Sequence, residues 1–302
     1  MVKPSYSKTL VVIFIGVFGI STAAIFVRLS TAESNLDGIG FNLFLAASRL
    51  ITSFLLMLPL LRGMSDIKFN SKAFLYSVIA GLCLAIHYAS WFLSLSYTSI
   101  VASTTIVTTS PVWIALISWI FLKEKPSRQV LIGIFIAILG GLVIGYDGAT
   151  IKNGIGNNPL LGMFLAFIGA LVYGLYFLAG REAQKRGFST GIYVLVAYGS
   201  AAVALFPLPF FFGSGYGNYP ALVYLYVFLM AVISQVIGQT CLNWSLRWIS
   251  PIIVTLAVMF EPVFSGILAY IFFREIPSMT LLIGAIIILL GVGVAAQSSA
   301  NK

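Results

Sequence analysis

Long apolar runs separated by short polar breaks set the pattern of the chain. The runs fall at about 9–30, 41–61, 72–95, 99–121, 129–146, 159–182, 190–212, 220–245, 250–272 and 278–297. About 20 apolar residues in a helix cover the hydrocarbon core of a bilayer, so each run predicts a transmembrane helix. Glycines and other small residues interrupt the runs, as is common in such helices. Two pairs of runs are separated only by Tyr97-Thr98-Ser99 and Arg247-Trp248-Ile249. They are divided there because a single run of about 50 residues is far too long to cross once. The expected fold is an all-α membrane protein of ten transmembrane helices.

The charges give the helices a direction. With ten alternating crossings, Lys3, Lys8, Arg62, Lys68, Lys72, Lys123, Lys125, Arg128, Arg181, Lys185, Arg186, Arg247 and Lys302 share one side. Arg28, Lys152 and Arg274 fall on the other, with Glu33, Asp37, Asp147 and Glu275. About 13 basic residues against about 3 is a strong positive-inside bias, and it predicts two cytoplasmic termini.

The chain also repeats itself. Ser94–Gly145 aligns without gaps on Ser245–Ala296 with about 19 identities in about 52 positions. Pro111-Val112 returns as Pro262-Val263, Glu124 as Glu275, and Gly133 and Gly140 as Gly284 and Gly291. Each half, residues 1–148 and 149–302, then holds five crossings. An odd number turns the second half upside down relative to the first, which is the inverted-repeat plan of many transporters.

Composition agrees. Only 8% of residues are charged and 60% are hydrophobic, too little polar surface for a soluble chain of this length. The net charge of +9 reads as membrane orientation, because there are no Lys/Arg runs of a nucleic-acid footprint. Cys83 and Cys241 lie in apolar stretches and read as core packing. The first apolar run has no small-residue cleavage site after it and is expected to stay in the membrane.

These motifs resemble the EamA family of the drug/metabolite transporter superfamily. The resemblance is carried by Pro-Val in the fourth and ninth spans, Glu124 and Glu275 after them, and the glycine pairs of the fifth and tenth. Ala46-Ala47-Ser48-Arg49 in span two, followed by apolar sequence to Pro59, adds to it. It implies that spans one, three, four, six, eight and nine surround a cavity, with five and ten peripheral. Family members export amino acids and other small metabolites, and related families exchange sugar phosphates and nucleotide sugars.

Arg49, His87 and Glu261 are the ionisable residues deep in spans, where charge is costly and normally faces a cavity or a partner. Glu261 precedes Pro262 and Ser110 precedes Pro111, so paired proline kinks are expected at matching depth. Glu261 either serves the cavity, or pairs with Arg49 or hydrogen-bonds a neighbouring helix, and both readings can hold together. His87 begins a face with Trp91, flanked by Tyr88. It is a candidate proton carrier or substrate hydrogen-bond partner, or a satisfied structural histidine. Gln235, Gln239 and Asn243 recur every four residues on one face of span eight. Three amides are costly in lipid, so that face points inward, to line the cavity or to bond between helices.

Span four adds Ser103, Thr104, Thr105, Thr108 and Thr109. Span six offers Tyr173, Tyr176 and Phe177, and span one Ser21 and Thr22; hydroxyls often bond their own helix, and aromatic stripes usually pack. Glu124-Lys125-Pro126-Ser127 and Glu275-Ile276-Pro277-Ser278 read as helix-start devices. The glycine pairs read as internal packing or dimerisation.

With a single histidine and no P-loop, no metal site, cofactor or ATP hydrolysis is expected, and no enzymatic activity. The expected substrate site comprises Arg49, His87, Tyr88, Trp91, Ser110, Tyr176, Gln235, Gln239, Asn243 and Glu261, with Pro111 and Pro262 as hinges. Together with the resemblance, this reads as a secondary transporter exporting small amphiphilic metabolites, amino acids foremost, by alternating access. The alternatives are a sugar-phosphate or nucleotide-sugar exchanger and an intramembrane enzyme using His87 and Glu261. Expected partners are a small-molecule substrate and the bilayer, not nucleic acid. The chain would act as a monomer or weak homodimer in the cell membrane, a bacterial inner membrane by the resemblance.

Overall fold

The computed structural model describes residues 4–36, 38–63, 70–95, 97, 103, 106–150, 158–274 and 279–300. Among them there are helices and no strand. The helices are α1 (Tyr6–Ser34), α2 (Ile39–Met57), α3 (Ser71–Leu95), α4 (Ser110–Leu122) and α5 (Arg128–Thr150). They continue with α6 (Pro159–Lys185), α7 (Thr190–Leu205), α8 (Ala221–Ser245), α9 (Pro251–Phe273) and α10 (Met279–Ala300). Short extensions follow α2 at Leu58–Gly63 and α7 at Leu208–Phe211. Among the described residues seven helices, α1, α2, α3, α6, α7, α8 and α9, are long and apolar enough to cross a membrane, whereas those in α4, α5 and α10 are shorter apolar stretches. Of the expected orientation markers, Lys3, Asp37, Lys68, Lys152, Glu275 and Lys302 lie outside the described residues, as do Thr104 and Thr105.

Helix starts follow from local chemistry. Ser5, Asn158, Ser189 and Ser250 each accept a backbone N–H from the residue three positions on, capping α1, α6, α7 and α9. The close boundary at Arg247-Trp248-Ile249 is a real turn: Trp248 N–H donates to Ser245 O at 3.0 Å before Ser250 opens α9.

Three departures from a plain helix shape the centre of the bundle. In α8, Met230–Gln239 is π-helical, a wide form concentrated at functional sites. The other two are interruptions of the helix where kinks are expected: α9 is broken at Met259-Phe260, and α4 begins at Ser110 after a turn at Thr108-Thr109. Pro111 and Pro262 sit in the first turn of the helical segments beyond these breaks, where a missing N–H costs nothing. Matching positions hold matching backbone, Thr109 at φ −72°, ψ −1° and Phe260 at φ −76°, ψ −10°. Lys123 (φ 56°) and Arg274 (φ 58°), also matched by the repeat, end α4 and α9 in the left-handed region.

The halves interlock. The most extensive packing joins α5 to α10, α3 to α6, α3 to α7, α1 to α8, α2 to α7 and α1 to α9, always one helix from each half. Exchanging every helix for its counterpart five places on largely preserves this pattern: α1–α8 becomes α6–α3, and α1–α9 becomes α6–α4, which also touch. The glycines permit the approach. A Cβ on Gly133 would lie 2.5 Å from Gly291 O, and one on Gly140 would lie 2.7 Å from Gly284 O. These pairs therefore serve internal packing of α5 on α10. In the same way Gly19 meets the π-helical turn at Gly238, a Cβ standing 2.8 Å from its Cα.

A compact aromatic cap closes the turn before α8. Tyr219 stacks on Phe44 at 4.2 Å, Tyr216 OH donates to Phe206 O at 2.8 Å, and burial pushes the Tyr216 phenol up to about 12.

Gly133→Ala should force α5 and α10 apart and lower stability by about 1–3 kcal/mol. Gly293→Ala, on α10 with nothing within 4 Å of a new Cβ, should leave the thermal unfolding midpoint in detergent unchanged or slightly raised. Equal losses for the two variants would contradict the packing described.

Candidate functional site

The breaks in α4 and α9 face a central cavity. Its walls come from Ile20 and Ala23 of α1, Arg49 of α2, His87, Tyr88 and Trp91 of α3, and Tyr173 of α6. Gln239 of α8, Val258 and Glu261 of α9, and Val107, Thr108 and Ser110 beside the α4 break complete it. The cavity measures about 30 Å³, room for about two water molecules. A metabolite enters only if helices part.

Within it, Arg49 is almost fully buried, and its guanidinium lies 4.7 Å from the centre of the Tyr88 ring, a cation–π contact. Glu261, the first residue of the second α9 segment, has the acidic side chain that a helix start favours. Among the described residues no ion pair within 4.0 Å joins the two; the ion pairs found all lie at the ends of α4 and α6. The alternative in which Arg49 and Glu261 neutralise each other directly is therefore absent.

His87 is held on three sides. Its Nδ1 lies 3.0 Å from Gly169 O, and a carbonyl only accepts, so Nδ1 carries the proton and Nε2 is left as an acceptor. Its ring stacks on Tyr173 at 4.2 Å and lies nearly parallel to Trp91 at 6.4 Å.

The amide stripe of α8 meets a stripe of phenols. Tyr88 OH donates to Gln235 Oε1 at 2.8 Å, Tyr173 OH to Gln239 Oε1 at 3.1 Å, and Asn243 Nδ2 to Tyr176 OH at 2.5 Å. These bonds tie α8 to α3 and α6. Of the ten expected site residues, Arg49, His87, Tyr88, Trp91, Ser110, Gln239 and Glu261 come together around the cavity. Tyr176, Gln235 and Asn243 stand just outside its lining, in the hydrogen-bonded wall behind it.

Tyr173 and Thr108 line the cavity although they were not singled out from their stripes, and the apolar Ile20, Ala23, Val107 and Val258 carried no chemical signal. Ser21 and Thr22 instead bond backbone of their own helix, with Thr22 Oγ1 also 2.9 Å from Ser234 Oγ. The Glu124-Lys125-Pro126-Ser127 motif does start a helix, through its serine: Ser127 Oγ accepts from Val130 N–H at 3.2 Å at the head of α5, while Glu124 reaches Arg181 at 2.7 Å and Lys185 at 3.8 Å. The matching Glu275-Ile276-Pro277-Ser278 lies outside the described residues.

Comparison with known proteins gives this bundle a family. The model of the EamA-like transporter family matches residues 7–146 and 160–296. The chain belongs to the EamA-like transporter family. Relatives include an uncharacterized transporter of Archaeoglobus fulgidus, 26% identical over 89% of this chain and 90% of the relative. The uncharacterized transporter YyaM of Bacillus subtilis is 27% identical over 79% of this chain and 78% of its own length. The crystal structure of another protein superposes with a TM-score of 0.76 at 18% identity, covering 98% of this chain and 99% of the other, which is a likeness of fold. This EamA chain is accordingly a multi-pass membrane transporter with a small-molecule substrate.

Tyr176→Phe removes the acceptor of Asn243 Nδ2 and should cost about 1–3 kcal/mol, read as a lower unfolding midpoint. Tyr270→Phe, on the exposed surface of α9, should change it little. Equal midpoints for both variants would show that the phenol–amide wall does not hold the bundle.

Proposed function

We propose that the protein is a secondary transporter that exports small amphiphilic metabolites, amino acids foremost, by alternating access. Residues 1–148 and 149–302 would form inverted five-helix halves, crossing ten times with both termini cytoplasmic, in a bacterial inner membrane. The observation that carries this reading is the meeting of Arg49, from the first half, and Glu261, from the second, around one cavity without an ion pair between them. A ligand bearing both charges bridges the halves, and rocking of the halves opens the cavity to either side in turn. Further support comes from the near-symmetry of helix contacts and the matched breaks at Thr109 and Phe260.

The exchanger alternative needs several cations to hold phosphate. Among the described residues Arg49 is the sole lysine or arginine on the cavity wall. His87 and Glu261 do share the cavity, as an intramembrane enzyme would require. However, the family and the names of the relatives favour transport.

Purified protein in proteoliposomes should move members of an amino-acid and metabolite panel faster than empty vesicles; no flux for any compound would overturn the reading. Glu261→Gln removes the titratable carboxyl from the cavity and should flatten the pH profile of transport. A profile identical to that of the unmodified protein would remove Glu261 as a proton carrier.

A further inference from the structure

We propose that Arg49, Trp91 and Gln239 form a carboxylate subsite, and that the acid group of the substrate, rather than its amine, is what the cavity must recognise. This rests on reading the cavity as the substrate site. The three residues come from α2, α3 and α8 and are only 2%, 8% and 1% exposed. In each, one N–H-bearing atom has no hydrogen-bond partner: Arg49 Nε, Trp91 Nε1 and Gln239 Nε2. All three residues line the same cavity. Buried donors without acceptors are rare and costly, and three around so small a space call for an acceptor-rich ligand.

The donors are fixed before any ligand arrives. Tyr173 OH occupies Gln239 Oε1, which directs the remaining Nε2 away from that bond. Trp91 packs edge-on against Phe92, with ring centres 5.0 Å apart. Arg49 rests on the Tyr88 ring, and Tyr88 is itself anchored to Gln235. One cationic and two neutral donors suit a carboxylate, which offers about four lone-pair sites and forms its strongest bonds to charged donors. A phosphate dianion would leave charge unmatched against a single guanidinium. The acceptors, Glu261 and His87 Nε2, accommodate an amine. Their demand is the weaker one, because neither is among the buried polar atoms left without a partner.

The test measures ligand-dependent shifts of the unfolding midpoint, titrated to an affinity, on the full chain in detergent. The probes are L-phenylalanine and L-leucine, their deaminated acids phenylpropionate and isocaproate, and the carboxyl-blocked phenylalaninamide and leucinamide. Deaminated acids should bind within about tenfold of the amino acids, whereas the amides should bind at least about tenfold more weakly, the loss of a charged hydrogen bond. Trp91→Phe keeps a ring and removes the N–H; it should weaken the acids by about tenfold and leave the amides unchanged. Arg49→Lys keeps the charge and loses Nε, and should weaken the acids similarly.

Amides that bind as well as acids, inert deaminated acids, unchanged acid affinity in Trp91→Phe, or no binding by any probe would each overturn the subsite. Carboxylate-selective binding without flux would retain the subsite and remove the transport reading. Flux indifferent to the carboxylate would do the reverse.

Discussion

An arginine and a glutamate brought to one cavity among apolar helices, without an ion pair between them, are the constraint around which this bundle is arranged. A lone charge in a transmembrane segment costs at least about 2.5–3.5 kcal/mol, so Arg49 and Glu261 need a polar shell between the helices. The Tyr88 ring under Arg49 and the broken start of the helix at Glu261 supply part of it. Direct contact between the two side chains would have let each satisfy the other.

Holding that arrangement requires a rigid wall, and the phenol–amide bonds from α3 and α6 to α8 provide one. Behind it α8 widens into a π-helix where Gly19 and Gly238 bring α1 against it. Interlocking extends the same logic: the most extensive interfaces each join one of the first five helices to one of the last five. The turns at Thr108-Thr109 and Met259-Phe260 sit beside the cavity, whose wall includes Thr108, Ser110, Val258 and Glu261.

Much of this was legible in the residues because a membrane span must satisfy its own backbone and therefore declares itself as an apolar helix. Arg49 and Glu261 stood out for the same reason: charge is rare in such runs. The glycines of α5 and α10 could be read from their repetition. Tyr173 could not, since a tyrosine in a packed stripe and one bonded to a buried amide look alike in sequence. The partners of Glu124 were equally hidden, because Arg181 and Lys185 lie on another helix. Nor did hydropathy distinguish a π-helical run from an α-helical one, or mark Ile20 and Val258 as cavity walls, since apolar residues face cavity, core and lipid alike. Gln235 and Asn243 show how far pattern reaches: their spacing put them on an inward face, and only the fold separated wall from lining.

Alternating access to one cavity is tested most directly by thiol labelling at Ala23, which is buried on the cavity wall. In a background with Cys83 and Cys241 replaced by alanine, Ala23→Cys would be exposed to a membrane-impermeant maleimide from each side of oriented vesicles. Access from both sides, slowed in each case by a transported substrate, is the predicted result. Labelling from one side only, or from neither while transport continues, would contradict a shared cavity that opens in turn to the two faces of the membrane.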